Sequence, residues 1–260
     1  MIVVAKHRAV VERLKLAGLD GVKSFSGDLV KDHGGRRDIF RIRASDEAGR
    51  ELVLFLKRNW KPYKKDRLTT FLRRGKVWSI ARQEWENSLA LQRAGLTTAA
   101  LVAYGEDCGL LWEKFSFILT EAATGRQTVQ DFLKNCRDAK LRRRVLEELA
   151  RTIRKMHDAG LASPDLFTRH LFVDETATPP AFCFIDMARL DSVKTLSDHT
   201  RARDLAALHV TAPLRFVSMR ERMRFMKICT GRKTRELTKL IEQRATHLLR
   251  RRKFRDFATG

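Results

Sequence analysis

The chain has 260 residues, 43% of them hydrophobic, which is enough for one large domain or two small lobes with a sizeable core. Its 53 Lys and Arg residues outnumber 31 Asp and Glu residues, and the resulting net charge of +22 predicts an anionic partner, substrate or nearby surface. There is no apolar run of about 18 residues, the length needed for a membrane-spanning helix, and the apolar start before Lys6 is too short for a signal peptide, so we expect a cytoplasmic protein.

The first half of the chain has the patterns of a sheet with one main helix. Residues 8–18 carry apolar residues at helical spacing and end at a glycine. Strict alternation in 38–44, turn residues around Gly49 and an apolar run ending at Lys57 predict a β-hairpin. A strongly basic stretch covers 58–80, and a helix is predicted from Ile80 to Ala94, followed by strands at 101–106 and 115–122.

The second half is predicted to be mainly helical. Residues 141–160 form an amphipathic pattern, with Val145, Leu149, Ile153 and Met156 on one face. Two short strands, 171–175 and 181–188, are followed by basic helical sequence from about Ser197. The four cysteines form no Cys-x-x-Cys pair, so we expect free thiols.

Three residues in the second half have the order expected for phosphoryl transfer. Asp165 lies in a predicted loop, His170 follows five residues later, and Asp186 ends an apolar strand. In kinases, the first acid of such a set orients and deprotonates the substrate hydroxyl, and the later two residues hold Mg²⁺. Each residue alone has a simpler explanation as a turn former or a satisfied polar side chain. The ordered set favours catalysis by Asp165 and metal binding by His170 and Asp186.

The first half supplies candidates for binding ATP phosphates. Lys57 ends a strand, and Glu84 on the next helix is positioned to pair with it, as the equivalent lysine and glutamate do in kinases. Glu86 lies on another face of the helix, so we choose Glu84. Gly34 and Gly35 offer backbone that could approach phosphate, although they do not form a Gly-x-Gly-x-x-Gly loop.

Several segments together resemble the lipopolysaccharide core kinase family, the Kdo and heptose kinases. The segments, in chain order, are GGRR at 34–37, LFLKRNW at 54–60, ARQEWENSLALQRAGLTT at 81–98, VAYGE at 102–106, FILTE at 117–121, PDLFTRHLF at 164–172, FIDMAR at 184–189 and RARDLAAL at 201–208. The family is similar in carrying His where other kinases carry Asn, which supports His170. The sequence departs from the kinase pattern at Ser163-Pro164, where His-Arg is usual, and at Met187-Ala188.

The resemblance implies an α+β, bilobal protein-kinase-like fold, with a β-rich N-lobe (1–122) that contains one main helix and a mainly helical C-lobe (123–260). It implies ATP and Mg²⁺ as cofactors, with ATP between the lobes, a hinge contribution from Glu121 and a structural role for Asp204. The expected acceptor is a heptose or Kdo of lipopolysaccharide, or another anionic glycolipid, at the inner face of the inner membrane. The protein would then associate peripherally with the anionic membrane surface, and an acyl carrier protein is a possible partner by resemblance only.

Three alternatives to a lipopolysaccharide kinase remain. Within the enzyme class, the nearest is a small-molecule or protein kinase of similar fold, which acceptor screening would separate. A catalytically idle kinase-like scaffold would bind ATP without turnover, and the changed Ser163-Pro164 loop makes this worth testing. A nucleic-acid-binding protein would use the basic surface, but the sequence lacks regular aromatic–basic interleaving and any recognised motif, so nucleic acid is not favoured.

Overall fold

The computed structural model describes residues 1–60, 78–109, 112–212, 214–231 and 235–250. Most of the basic stretch predicted at 58–80 therefore lies outside the described residues. The strands, in chain order, are β1 (Ile2–Val3), β2 (Asp28–Asp32), β3 (Arg37–Ser45), β4 (Glu51–Asn59), β5 (Thr97–Thr98), β6 (Leu101–Cys108), β7 (Glu113–Glu121), β8 (Gln127–Thr128), β9 (Leu161–Ala162), β10 (Leu171–Asp174), β11 (Ala181–Phe184) and β12 (Asp191–Ser192). The α-helices are α1 (Arg8–Arg13), α2 (Leu19–Ser24), α3 (Ile80–Arg93), α4 (Val129–Asn135), α5 (Ala139–Asp158), α6 (Asp198–Thr211), α7 (Met219–Thr230) and α8 (Arg235–Leu249).

The chain divides into two compact units. The first contains Met1–Leu89 and Ala99–Ala122, and the second contains Ala90–Thr98 and Ala123–Gly260. The assignment of phosphate binding to the first unit and catalysis to the second stays a prediction.

The first unit is built on a six-stranded sheet in the order β1-β6-β7-β4-β3-β2. The predicted hairpin is confirmed as β3 and β4, which pair in register with Ile39 opposite Lys57. Alternation along β3 buries Phe40 and Ile42 in the core and leaves Arg41 and Arg43 exposed, because successive side chains of a strand point to opposite faces.

Helix α3 begins where two acceptors satisfy its first backbone N–H groups. The Ser79 hydroxyl accepts from the Arg82 N–H at 3.0 Å, and the Glu113 carboxylate accepts from the Ile80 N–H at 3.1 Å. A helix start is otherwise left with unpaired donors, so these contacts set its first residue. Glu84 therefore lies one turn inside the helix.

Two predictions about the N-terminal region were incomplete. The helix predicted at 8–18 ends at Arg13, because Lys15 adopts a left-handed conformation with φ of 57°, and Gly18 instead precedes the separate helix α2. Strand β2, Asp28–Asp32, was not predicted at all. All five of its residues are exposed, so it lacks the apolar alternation by which strands are recognised.

The second unit combines helices with two small sheets. Helix α5 matches the predicted amphipathic pattern, and Val145, Leu149, Ile153 and Met156 are all buried in its core. Strands β10 and β11 are antiparallel, with Leu171 opposite Phe184. Antiparallel pairing places the residue before β10 and the residues after β11 at the same end of the sheet.

Five helices of the second unit, α4 to α8, surround an apolar cavity of about 650 Å³. Its walls include Leu133, Leu146, Leu205, Phe225 and Ile241, one from each helix. Cationic side chains also line it: Arg222, Arg235 and Lys239.

Candidate active site

Asp165 lies in the loop that follows β9, and local hydrogen bonds fix its position. Its backbone N–H donates to the Ser163 hydroxyl at 3.2 Å, and its carbonyl accepts from the Phe167 N–H at 2.7 Å. The side chain is 17% exposed, so its carboxylate remains reachable. Ser163, one of the departures from the kinase pattern, thus takes part in shaping this loop.

A buried carboxylate braces the same loop. Asp204 on α6 has no exposed surface, and its Oδ2 accepts from the Ser163 N–H at 2.8 Å and lies 3.2 Å from His157 Nε2. Its Oδ1 accepts from the Arg203 guanidinium at 3.0 Å. A buried charge needs such compensation, and here the compensation ties α6 to the loop that carries Asp165. This is the structural role that the family resemblance implies for Asp204.

His170 is oriented by the backbone of Asp165. Its Nδ1 lies 2.9 Å from the Asp165 carbonyl, which makes Nδ1 the protonated nitrogen and leaves Nε2 with its lone pair. Nε2 lies 3.9 Å from the Asp186 carboxylate and also accepts from Arg169 Nε at 3.2 Å. Burial lowers the pKa of His170 below its ordinary value, and the Asp186 charge opposes this only in part. A neutral imidazole of this tautomer is suited to metal binding.

Asp186 follows β11 in a strained conformation. Its φ of 57° is rare for a residue with a side chain, and its carboxylate is 33% exposed. The Ile185 N–H donates to the His170 carbonyl at 3.0 Å, which links the two candidate ligands through the backbone. Within the described residues, no three metal-ligating side chains cluster. Mg²⁺ at kinase sites is typically held by only one or two carboxylates plus phosphate oxygens, so the Asp186 carboxylate fits this ion. The imidazole nitrogen of His170 is not an oxygen ligand of the kind that Mg²⁺ prefers, so the role of His170 in metal binding stays a prediction.

In the first unit the structure pairs Lys57 with Glu84. Lys57 Nζ donates to Glu84 Oε1 at 2.6 Å, and the two side chains are 13% and 6% exposed. Arg37 Nη2 approaches the other oxygen of Glu84 at 3.9 Å. The sheet holds Lys57 between Ile39 and Ile118, so the ammonium is presented by a rigid element.

The other residues of the first unit that were predicted to contact nucleotide are Gly34, Gly35 and Glu121, which lie in a turn and at the end of a strand. Gly34 and Gly35 form the turn between β2 and β3, both with positive φ, and the Gly35 N–H donates to Asp32 at 3.0 Å. Glu121 ends β7, and its Oε1 lies 3.2 Å from Lys6 Nζ and 3.0 Å from His7 Nε2. Its carboxylate therefore contacts the N-terminal segment.

One residue beside Asp165 was missed from sequence. Arg189 Nε donates to Asp165 Oδ2 at 2.6 Å, and its Nη2 donates to Oδ1. The two residues therefore form a bidentate ion pair. The only signal in the sequence was its place at the end of the FIDMAR segment.

The first unit is a sheet with a buried Lys–Glu pair, and the second unit carries a loop carboxylate beside two candidate metal ligands. These are the parts of a protein-kinase-like phosphotransferase. A profile described as "Lipopolysaccharide kinase (Kdo/WaaP) family" matches residues 20–229. The chain belongs to this family.

Curated relatives agree with the family match. The lipopolysaccharide core heptose(I) kinase WaaP of Pseudomonas aeruginosa is 28% identical over 228 residues, which are 84% of this chain and 82% of that protein. The protein of the same name from Escherichia coli (strain K12) is 26% identical over 168 residues, covering 62% of this chain and 63% of that one.

A solved structure confirms the predicted fold. It is described as WaaP in complex with acyl carrier protein, and it covers 95% of this chain and 99% of its own with a TM-score of 0.71 at 24% identity. The mixed, bilobal kinase-like fold predicted from sequence is therefore correct.

Proposed function

We propose that this kinase transfers the γ-phosphate of ATP, with Mg²⁺, to a hydroxyl of a heptose or Kdo in the lipopolysaccharide inner core. One observation carries the proposal. The backbone carbonyl of Asp165, the candidate base, orients the ring of His170, whose Nε2 lies 3.9 Å from the Asp186 carboxylate and accepts a hydrogen bond from Arg169. Base and metal ligands are thus parts of one rigid arrangement, as phosphoryl transfer requires.

The roles of the side chains follow from their chemistry. The oxygen of the sugar hydroxyl forms a bond to the γ-phosphorus, and the bond from this phosphorus to ADP breaks. Asp165 accepts the proton that the hydroxyl loses. Asp186 and His170 hold the metal ion, which when bound neutralises phosphate charge. Lys57, kept in place by Glu84, binds the α- and β-phosphates, and the Gly34–Gly35 turn and the Glu121 region contribute further nucleotide contacts.

The basic composition supports work at an anionic surface. With a net charge of +22, the chain is attracted to anionic lipid headgroups, by about 1 kcal/mol for each Lys or Arg near the surface. No helix in the described parts of the chain is long and apolar enough to cross a bilayer. We infer peripheral association with the cytoplasmic face of the inner membrane, where the glycolipid acceptor would be found.

The direct test uses purified lipid A–core that lacks core phosphate. We expect ADP release that depends on this acceptor, phosphate recovered on a core sugar, and loss of both when EDTA removes divalent metal. The same glycolipid already phosphorylated on its core is the control and should give no stimulation. ATP binding without transfer to any core acceptor would instead identify an idle scaffold.

The cavity in the second unit supports an acyl carrier protein as a further partner. Its apolar walls match an acyl chain, and the exposed Arg235 and Lys239 suit an acidic carrier. The structural neighbour in complex with acyl carrier protein adds weight by its similarity.

Carrier binding should depend on the acyl chain if the cavity is used. We expect acylated carrier to bind at least about 10-fold more tightly than the unacylated form, because each buried methylene contributes about 0.8 kcal/mol. Calorimetry with the two purified forms measures this. Equal affinities would show that the cavity does not receive the chain.

A further inference from the structure

Arg189 contacts the candidate base Asp165 and is itself exposed to solvent. Its guanidinium contacts both oxygens of Asp165, through Nε at 2.6 Å and through Nη2. Yet 58% of the Arg189 side chain is exposed, against 17% for Asp165. A purely structural arginine would more commonly be enclosed with its partner, as Arg58 is, with 7% exposure in its pair with Asp38.

An acidic acceptor needs a cation beside the candidate base Asp165, and Arg189 supplies one. As the candidate base, Asp165 must meet the acceptor hydroxyl, and the partly exposed carboxylates of Asp165 and Asp186 repel an acceptor that itself carries acid groups. A guanidinium offers five N–H donors in a planar fork that suits carboxylate and phosphate oxygens. Placed on the base itself, it can bind an acid group next to the reacting hydroxyl.

We propose that Arg189 is an acceptor-binding residue that contacts Asp165 and an acid group of the glycolipid at the same time, so that the enzyme selects hydroxyls with a neighbouring anion. This inference rests on the proposed function, since it names a feature of the same acceptor. The acid group is a sugar carboxylate or a phosphate. Both present the oxygens that a guanidinium recognises, and the experiment below separates them.

The test measures binding and turnover separately with three acceptors and three variants. The intact acceptor is lipid A–core that lacks core phosphate. This acceptor, its carboxyl-reduced form and its phosphatase-treated form are titrated calorimetrically into the wild type, Arg189→Gln and Arg189→Lys. Arg151→Gln is the matched control, because Arg151 is 56% exposed and pairs with Glu148 at 2.7 Å on α5, away from the site. Acceptor KM, kcat and the KM for ATP are measured in parallel.

We expect Arg189→Gln to weaken binding of intact acceptor by about 10- to 100-fold, the range for a lost hydrogen bond to a charged group. The KM for ATP should stay unchanged, and Arg189→Lys should recover part of the affinity. Removing the relevant acid group should weaken wild-type binding by a similar factor and add nothing in Arg189→Gln. The modified acceptor that shows this loss identifies the group as carboxylate or phosphate.

Other results overturn the inference. A fall in kcat with unchanged acceptor affinity would make Arg189 a positioning residue for Asp165 alone. Equal effects of acid removal on wild type and Arg189→Gln would show that the anion is bound elsewhere. Phosphate transfer with no role for Arg189 in affinity would sink this inference and leave the proposed function intact. Acceptor binding that depends on Arg189, without phosphate transfer, would support this inference and contradict the proposed function. No acceptor binding by the wild type would contradict the inference and the proposed function alike.

Discussion

Replacing Asp165 with Asn is expected to lower acceptor-dependent phosphate transfer by about 10²- to 10⁴-fold, the usual contribution of a general base. Asparagine has nearly the same shape and keeps the backbone contacts to Phe167 and His170, but its amide cannot accept the hydroxyl proton. The measurement is kcat with saturating ATP and lipid A–core, together with the dissociation constant of ATP, which should change little.

The control for this variant is Asp158→Asn, an acid at the end of α5 that is 58% exposed. It should have wild-type turnover, which would show that loss of one negative charge from this very basic chain does not matter. Near-normal turnover by Asp165→Asn would mean that Asp165 is not the base, and the assignment would then have to move to another group.

Replacing Lys57 with Met is expected to destabilise the protein by about 3 kcal/mol, because the buried carboxylate of Glu84 loses its hydrogen-bonded cation and keeps only the longer contact with Arg37 at 3.9 Å. ATP affinity should fall as well, since the ammonium proposed to contact the phosphates is gone. Adding Glu84→Gln should restore much of the stability, because it removes the buried charge that has lost its closest cation, but it should not restore turnover. Urea unfolding and nucleotide binding measure the two effects independently.

An exposed pair in the same sheet provides the matched comparison. Arg43 and Glu51 are 71% and 67% exposed, so Arg43→Met should cost no more than about 1 kcal/mol and leave ATP binding unchanged. If Lys57→Met were as stable as Arg43→Met and bound ATP normally, the Lys57–Glu84 pair would be neither a structural pair nor part of a nucleotide site.

The pairing of Lys57 with Glu84 shows what the local sequence patterns could predict. Period-two alternation predicted the hairpin that carries Lys57, and the helix signals predicted α3. The two acids on that helix, Glu84 and Glu86, were separated by the argument that they lie on different faces, and in the structure Glu84 is the one in contact with Lys57. The helical period showed that only one of the two acids could face Lys57, and the choice of Glu84 between them was a prediction from the kinase pattern.

The contacts of the Asp165 loop show what local sequence patterns could not predict. Its ion pair with Arg189 joins residues 24 positions apart, and Asp204 braces Ser163 across 41 positions. No periodicity relates residues in different loops. Their meeting depends on how the strands β9 to β11 and helix α6 pack in three dimensions.

The sequence by itself determined the kinase-like class, the main strands and helices, and the order of Asp165, His170 and Asp186. These features are encoded in local periodicity and in short motifs, which need no distant contacts. Only the tertiary structure decided the tautomer of His170, the left-handed backbone of Asp186, the break after Arg13 and the ion pair between Arg189 and Asp165. Each of these depends on hydrogen bonds, ion pairs or backbone conformation that arise only when loops distant in sequence are packed together.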